Sequence, residues 1–387
     1  MEYRSHRDLK ISEIGVGCYA LSGAYGKVDI KGFQRMLRHA YELGVNFFDT
    51  AEGYGDAEKI LGATVKPYRD DILLATKVGI REGTKFNLSR DYIIEACELS
   101  LQNLQTNYID IYQVHFDDPT TPVEETVTTL DELVDKGKIR YYGVGHLPTE
   151  RVKKYCELGD PFTILMELSA VARKSRSDLL PLCQSENVAG IAFSTTGRGI
   201  LTGKYGPETQ FEPGDIRNMD PLFQRARFQS GLVIKDKIVS LAQKYKKTPV
   251  QVAIAWVLAQ PSIICALTGS SKIKHLEENL GGGGWTISQS DLDRLDQFFE
   301  QEDKLLADEE KALITQILSE PLTSIAAEAF IDLVYVLETS HYLDILSEKA
   351  VRTIFQELWP LRESLDESNR PKMVDIQKTL RLMIDLN

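Results

Sequence analysis

The sequence lacks long hydrophobic runs and an excess of positive charge. No apolar stretch approaches the ~20 residues that a helix needs to cross a bilayer. The N-terminus, M-E-Y-R-S-H-R-D-L-K, is polar and has no apolar segment typical of a secretory signal. The net charge of −12 at pH 7 disfavours nucleic acid as a partner. We therefore expect a cytoplasmic protein that binds neither membranes nor nucleic acid.

Cysteine is scarce and irregularly spaced. The five cysteines are odd in number and include no C-x-x-C pair, which favours reduced thiols over a disulfide framework or a zinc site. No H-x-H or H-E-x-x-H motif indicates another metal site. No Ser–His–Asp or Cys–His set indicates a covalent nucleophile with an attendant base. The sequence thus predicts neither a metal site nor covalent catalysis.

Eight short apolar runs alternate with amphipathic helical segments along most of the chain. This order indicates β-α units with a parallel sheet, and eight such units indicate an α/β fold of the (β/α)8 barrel type. A doubly wound sheet is the competing interpretation, but the first run contains G-V-G-C-Y-A where that fold normally has G-x-G-x-x-G. The predicted strands are 14–21, 45–49, 72–77, 109–114, 139–145, 162–168, 188–194 and 262–268.

Two segments depart from this repeating pattern. Residues 198–230 form a connection too long for an ordinary loop, and such segments are usually lids or ligand clamps, or else tolerated insertions. Residues 304–387 show apolar residues at helical spacing, interrupted by prolines, which predicts three or four helices. We predict a barrel domain over 1–303 and an acidic helical extension over 304–387. The extension is either a cap packed on the barrel or a module for a partner or for homo-oligomerisation.

Ionisable side chains lie at the ends of three consecutive predicted strands. Asp49 ends the second strand, Lys77 ends the third, and His115 follows the fourth, while Tyr54 lies in the loop after Asp49. The active site of an α/β barrel lies where its strands end, so we expect these four side chains to meet. Each one alone also has a structural interpretation, such as a helix cap or a core histidine.

These four residue types form a chemically coherent set. A tyrosine with its ordinary pKa of ~10 is a poor acid or base at neutral pH, and a nearby ammonium is expected to lower that pKa. Lys77 can supply this charge, and pairing with Asp49 makes burial of the ammonium tolerable. His115 can donate a hydrogen bond that orients a carbonyl oxygen near Tyr54.

These residues resemble the aldo-keto reductases. The resemblance covers roughly 1–300 and implies an NADP(H)-dependent oxidoreductase. Such an enzyme interconverts a small-molecule carbonyl, sugar-like ones included, and an alcohol by hydride transfer. It also implies that Tyr54 is the general acid and, in reverse, the base. The matching stretches are F-D-T-A-x-x-Y-G at 48–55, A-T-K at 75–77, Y-Q-V-H at 112–115, G-K-I-R-Y-Y-G-V-G at 137–145, A-F-S-T-T-G-R-G-I-L-T-G-K-Y at 192–205, T-P-V-Q-V-A-I-A-W-V-L at 248–258 and G-S-S-K-I-K-H-L-E-E-N at 269–279.

The resemblance also implies a nicotinamide cofactor that binds across the barrel mouth. NADP(H) is the form typical of the family, and NAD stays open. An aromatic side chain would stack on the nicotinamide, and two further segments would hold the pyrophosphate and the adenosine phosphate. The residues implied in cofactor binding are Gly145, His146, Phe193, Ser194, Gly197, Arg198, Ser271, Lys272, His275, Glu278 and Asn279.

Several positions depart from the family pattern. Gly145 and His146 stand where the family usually has Ser-Asn, and Leu165 stands where it often has Gln. Contacts to the nicotinamide carboxamide are then either missing or rebuilt through His146 and Glu167. Ser271 takes the place of a basic residue that commonly binds the 2′-phosphate. Two alternatives to the reductase stay open, namely a redox-sensing regulatory protein with little turnover and a barrel isomerase or lyase.

Overall fold

The computed structural model describes residues 1–80, 86–317, 319, 327–347, 350, 351, 353, 354 and 357. Eight parallel strands close into a barrel in chain order, with the last strand pairing with the first and the seventh. The predicted (β/α)8 barrel is therefore confirmed. Its strands are β3 (Ile14–Gly17), β4 (Phe47–Asp49), β5 (Leu73–Val78), β6 (Ile109–Val114), β7 (Ile139–Gly145), β8 (Thr163–Glu167), β9 (Ala189–Phe193) and β10 (Ile263–Gly269).

An antiparallel hairpin precedes the barrel and was not predicted. It consists of β1 (Tyr3–His6) and β2 (Leu9–Ser12). Leu9 and Ile11 are 3% and 0% exposed and pack into the barrel core with Phe47, among others. Two four-residue strands with polar residues between the apolar ones give only a weak alternating pattern, so the sequence alone did not separate them from a loop.

Helices connect the strands, and side-chain caps mark the start of some of them. Asp29 accepts a hydrogen bond from the amide of Gly32 at the start of the first helix, and Thr248 and Gln251 form a reciprocal capping box at the start of the eighth. The helices are α1 (Ile30–Glu42), α2 (Ala57–Val65), α3 (Arg90–Leu104), α4 (Val123–Asp135), α5 (Thr149–Leu158), α6 (Leu179–Ser185), α7 (Arg225–Tyr245), α8 (Pro249–Leu258), α9 (Ile273–Leu280), α10 (Gln289–Ile317) and α11 (Ala327–Tyr342).

The segment predicted as one long connection over 198–230 is shorter than expected. It contains three short 3-10 turns and ends where α7 begins at Arg225. The sequence R-A-R-F-Q-S has a single large apolar side chain and therefore gave no helical pattern by itself. Burial of Phe228 and Leu232, which are 7% and 6% exposed, fixes this first part of α7.

The chain divides into two compact units. One contains residues 1–203 and 238–287, and the other contains residues 204–237 and the residues from 288 onward. In the second unit, Arg225 forms an ion pair with Asp332, and Tyr335 donates a hydrogen bond to the carbonyl of Met219. These contacts join α11 to the start of α7 and to the segment before it.

The predicted boundary between residues 303 and 304 stays a prediction, although α10 runs without a break across that position. Two helices, α10 and α11, cover much of the described part of the predicted extension. Any further helix after residue 357 lies outside the described residues. Within the described part of the chain, no helix combines the length and the apolar character needed to cross a membrane.

Candidate active site

The C-terminal ends of β4, β5 and β6 bring three of the predicted residues together. Asp49 is the last residue of β4, Lys77 is the last but one of β5, and His115 directly follows β6. These strands are adjacent in the barrel, and Asp49 lies beside Ala75 in the register. Lys77 and His115 are 1% and 4% exposed. Parallel pairing thus places all three side chains at one rim.

Lys77 and Asp49 form a buried ion pair. The Nζ atom of Lys77 lies 2.5 Å from Oδ1 of Asp49 and 2.6 Å from the carbonyl oxygen of Thr50. Gln113 donates from Nε2 to the other carboxylate oxygen of Asp49 at 3.2 Å. Burial raises the pKa of the Asp49 carboxyl, while the Lys77 ammonium and the Gln113 amide lower it. Asp49 therefore has the partner that a buried carboxylate needs.

Tyr54 lies in the loop after β4, and its ring is half-buried. The Lys77 Nζ atom is 5.0 Å from the ring centroid of Tyr54, and the ring of His115 is 5.6 Å away from it. Tyr19 packs edge-on against the Tyr54 ring, with ring centroids 5.0 Å apart. The four residues predicted from the strand ends therefore meet in one place.

The electrostatic environment of Tyr54 differs from the expectation. Burial raises the pKa of the Tyr54 phenol well above its usual value, and the charge of Asp49 raises it further. Burial and the Asp49 charge thus outweigh the lowering of this pKa that was predicted from the Lys77 ammonium. The ammonium is already paired with Asp49 and the Thr50 carbonyl. The phenol is consequently protonated at neutral pH, which is the form that can donate a proton.

His115 is one of two histidines in the site. The rings of His115 and His146 are 5.3 Å apart, and Phe116 stacks on His115 at 4.2 Å. Burial, followed by the Lys77 charge, lowers the pKa of His115 well below its usual value. The same two causes lower the pKa of His146 to about 4. Both imidazoles are therefore neutral at pH 7, and their Nδ1 atoms are buried without a hydrogen-bond partner among the described residues.

The residues predicted to hold the nicotinamide and pyrophosphate lie at the ends of β7 and β9. His146 directly follows β7, and its ring lies 4.7 Å from that of Phe193, the last residue of β9. Four residues of these two loops have φ between +48° and +59°, namely His146, Ser194, Gly197 and Arg198. Such backbone conformations are uncommon outside glycine and often accompany ligand sites. The buried hydroxyl of Ser194 has no hydrogen-bond partner in the described chain.

The segment predicted to hold the adenosine phosphate leaves the barrel after β10. Ser271 and Lys272 are exposed and immediately precede α9. Helix N-termini carry free amide groups that suit a phosphate. His275 and Glu278 are half-buried on α9, whereas Asn279 is buried at 7% exposure. Exposed donors at a helix start therefore suit the phosphate end of a dinucleotide.

The residues that depart from the family pattern have distinct surroundings. Leu165 is 2% exposed within the barrel core and carries no polar atom that could replace an amide. Glu167, two residues further along β8, pairs with Arg198, with Nη1 and Oε1 2.5 Å apart. Gly145 packs against Leu165, where a Cβ atom would lie 3.1 Å from that of Leu165. His146 is thus the residue of this group that presents an unpartnered polar atom.

Sequence reasoning missed two contributors to the site. Gln113, which bonds to Asp49, lies two residues before His115 on the same face of β6, so strand alternation could have revealed it. Tyr19 lies in a 3-10 turn after β3, and no pattern in the sequence marks it. Among the described residues, no group of three or more His, Cys, Asp or Glu side chains is arranged to hold a metal ion.

Comparisons with known proteins agree with this geometry. A family profile described as "Aldo/keto reductase family" matches residues 13–300. The aldo-keto reductase YhdN of Bacillus subtilis is 36% identical over 302 residues, which cover 75% of this chain and 91% of that protein. The glycerol dehydrogenase AKR11B4 from Gluconobacter oxydans has a similar structure, with a TM-score of 0.71 and 29% identity, covering 78% of this chain and 95% of that one. An aldo-keto reductase from Klebsiella pneumoniae in complex with NADPH has a TM-score of 0.62 and 26% identity, covering 77% and 96%.

Proposed function

The chain belongs to the aldo/keto reductase family, and on that premise we propose that it interconverts an aldehyde or ketone and an alcohol, with Tyr54 as the general acid and base. The observation that carries this proposal is the placement of the Tyr54 ring 5.0 Å from Lys77 and 5.6 Å from His115. A proton donor, a cation and a neutral hydrogen-bond donor then lie together at the barrel rim. That combination suits a carbonyl oxygen that gains a proton.

NADP(H) is the proposed cofactor, and the residues of the rim fit it. The unpartnered Oγ of Ser194 and Nδ1 of His146 offer polar contacts, and Phe193 offers a flat aromatic face. His146 would take over the carboxamide contact, while Ser194, Gly197 and Arg198 would hold the pyrophosphate. The nicotinamide supplies or accepts the hydride when it is bound. The related Klebsiella pneumoniae protein was solved in complex with NADPH.

The adenosine end of the cofactor would lie on the segment around α9. Ser271, Lys272 and His275 would bind the 2′-phosphate with the free amides at the helix start, and Glu278 and Asn279 would contact the adenine. Lys272 is the exposed cation of this set. We therefore propose a preference for NADP(H) over NAD(H).

The side chains of the site act in a defined order during reduction. His115, which is neutral because its pKa is lowered by burial, donates a hydrogen bond that orients the carbonyl oxygen. Tyr54 then transfers its phenolic proton to that oxygen. The Lys77 ammonium stabilises the phenolate left behind, and Asp49 holds Lys77 in place. In the direction of oxidation the phenolate takes the proton of the alcohol.

The substrate class is an uncharged carbonyl compound or the corresponding alcohol, sugar-like ones included. The Lys77 ammonium, which is the cation beside Tyr54, already pairs with Asp49, so it is not free to bind an anionic substrate. One structural relative is named a glycerol dehydrogenase, which agrees with a polyhydroxylated substrate. Neither the matches nor the described structure favours the alternative of a regulatory protein with little turnover.

The proposal is tested by separating cofactor binding from chemistry. Purified protein is titrated with NADPH and NADH by tryptophan fluorescence quenching. NADPH oxidation is then measured with DL-glyceraldehyde, benzaldehyde and dihydroxyacetone. We expect Tyr54→Phe to bind NADPH normally and to lose about 10²- to 10⁴-fold in kcat. Tyr68→Phe is a matched control, because Tyr68 stacks on Tyr41 away from the site.

Each other outcome has a definite meaning. Failure to bind either cofactor overturns the assignment, because the rim residues would then hold no hydride donor. If Tyr54→Phe binds NADPH and keeps full activity, the protein is still an oxidoreductase, but Tyr54 is not its general acid. If NADPH binds but none of the three carbonyl compounds oxidises it, the proposed substrate class is contradicted.

A further inference from the structure

Glu52 lies between the catalytic loop and the end of β5 and is part of neither the mechanism nor the cofactor site. It is two residues before Tyr54, and its side chain is half-buried. Its Oε1 atom accepts hydrogen bonds from the amide of Gly79 at 2.8 Å and from the amide of Ile80 at 3.1 Å. The hydroxyl of Tyr92 donates to the same oxygen at 3.0 Å. One carboxylate oxygen thus joins three segments of the chain.

The first two segments carry catalytic residues. Glu52 belongs to the loop that presents Tyr54, and Gly79 and Ile80 directly follow the strand that presents Lys77. The main chain adds a further link, because the amide of Glu52 donates to the carbonyl of Lys77 at 3.3 Å. The relative position of Tyr54 and Lys77 therefore depends on how these two loops are fastened to each other.

The backbone around these contacts is unusually restricted. Gly79 has φ of +124°, a conformation that side chains rarely adopt. A Cβ atom on Gly53 would lie 2.9 Å from the carbonyl oxygen of Ile80, so the two loops approach closely here. Two consecutive amides that point at one carboxylate oxygen form a strong, directional link, because bonds to a charged acceptor are stronger than neutral ones.

The third segment fixes Glu52 from the side. Tyr92 lies in the first turn of α3, whose residues Ile93 and Cys97 are fully buried. The helix is thus packed firmly on the barrel, and its tyrosine limits the rotation of the Glu52 side chain. A loop that carries the proton donor is in this way tied to a rigid helix.

We propose that Glu52 is a positioning residue that holds Tyr54 at the correct distance from Lys77, through Gly79, Ile80 and Tyr92. This inference rests on the proposed role of Tyr54 in proton transfer. A misplacement of about 1 Å between reacting groups can lower a rate by about 10²-fold. Loss of the Glu52 carboxylate should therefore affect the chemical step and leave cofactor binding unchanged.

Four full-length variants separate the length of the Glu52 side chain from its charge. Glu52→Ala removes the hydrogen bonds to Gly79, Ile80 and Tyr92, and Glu52→Asp keeps the charge but shortens the side chain. Glu52→Gln keeps an acceptor oxygen at the same reach. Glu98→Ala is the matched control, because Glu98 is an exposed residue of α3 that pairs with Lys138. NADPH oxidation is measured with whichever of the three carbonyl compounds wild type reduces fastest. Each rate is divided by the concentration of NADPH-binding sites.

A positioning role predicts a specific pattern. Glu52→Ala and Glu52→Asp should lose about 10- to 100-fold in kcat, with KM and the Kd for NADPH within about threefold of wild type. Glu52→Gln should retain kcat within about fivefold, because its amide oxygen can accept the same bonds. Glu98→Ala should match wild type. Tyr92→Phe should show a smaller loss than Glu52→Ala, and it serves as the second measurement if Glu52→Ala does not fold.

Other results would overturn the inference. If Glu52→Ala retains the kcat of Glu98→Ala per binding site, the residue has only a structural role. If Glu52→Gln falls as far as Glu52→Ala, charge and not position is what matters. Tyr54→Phe is assayed alongside, because full activity in that variant would refute the role of Tyr54 itself. If Tyr54→Phe loses its activity while the Glu52 variants keep theirs, only the proposed role of Glu52 is refuted.

Discussion

The ammonium of Lys77 lies 2.5 Å from the carboxylate of Asp49 at a position where the two residues are only 1% and 4% exposed. A buried charge without a partner is expensive, whereas a buried pair is tolerated when further hydrogen bonds complete it. Here Gln113 and the Thr50 carbonyl supply those bonds. The ion pair thus keeps the Lys77 ammonium beside Tyr54, in a buried position where an unpaired ammonium would be unfavourable.

We expect Asp49→Leu to lower the free energy of unfolding by about 3–5 kcal/mol, because the Lys77 ammonium is left buried and unpaired. The double variant Asp49→Leu/Lys77→Met should recover most of that stability and remain inactive. Urea unfolding and NADPH oxidation measure the two effects separately. The exposed pair of Lys59 and Asp56 is the control, and Lys59→Met should change stability by less than about 1 kcal/mol. A double variant as unstable as the single one would contradict the expectation.

We expect Arg198→Ala and Lys272→Ala to weaken cofactor binding in different ways. Arg198 is proposed to bind the pyrophosphate, which NADPH and NADH share, so its loss should raise both Kd values by about 10- to 100-fold. Lys272 is proposed to bind the 2′-phosphate, so its loss should raise the Kd for NADPH alone. Fluorescence titration with both cofactors distinguishes these results.

Lys274→Ala is the control for the Lys272 variant, because Lys274 is an exposed residue in the first turn of α9. It should leave both Kd values within about twofold, since a solvated charge on the helix surface contributes little. Equal losses for NADPH and NADH in Lys272→Ala would show that this side chain does not select the 2′-phosphate.

We expect His146 to make stability fall on acidification. Its pKa is lowered to about 4 in the folded protein, whereas an unfolded histidine has a pKa of about 6.5. Between these values the unfolded chain binds more protons, so unfolding becomes easier as the pH falls through that window. The slope from one such group is at most about 1.4 kcal/mol per pH unit.

The contribution of His146 is isolated by comparing wild type with His146→Asn in urea unfolding at pH 4.5, 5.5 and 7. The variant should lose less stability than wild type between pH 7 and pH 4.5, because it lacks the imidazole that must stay neutral in the fold. Parallel curves throughout would mean that the His146 ring is not held neutral by burial and by the Lys77 charge.

We expect Glu338→Gln to destabilise the second compact unit. Arg227 is 6% exposed, pairs with Glu338 at 3.4 Å and lies 3.6 Å from the ring centroid of Tyr342. A bond between buried charged groups contributes about 1.5–3 kcal/mol, so thermal unfolding should shift to lower temperature. Glu309→Gln is the control, because Glu309 is exposed on α10. Equal melting curves for the two variants would contradict this prediction.

Much of the barrel could be predicted because its signals are local. The runs at 109–114 and 139–145 match β6 and β7 residue for residue, since both are short segments rich in isoleucine, valine and tyrosine, which favour strands. The strand predicted at 14–21 is too long, because β3 ends at Gly17 and apolar residues after it form a 3-10 turn. Apolar character alone does not distinguish a strand from a turn that is also buried.

The sequence by itself determined the alternation of strands and helices and the placement of Asp49, Lys77 and His115 at strand ends, because both depend on residues close together in the chain. Only the tertiary structure decided that Gln113 bonds to Asp49, that Glu52 bridges to Gly79, and that burial outweighs Lys77 in setting the pKa of Tyr54. Desolvation and hydrogen bonding across a barrel rim depend on which distant segments pack together. No pattern of neighbouring residues specifies them.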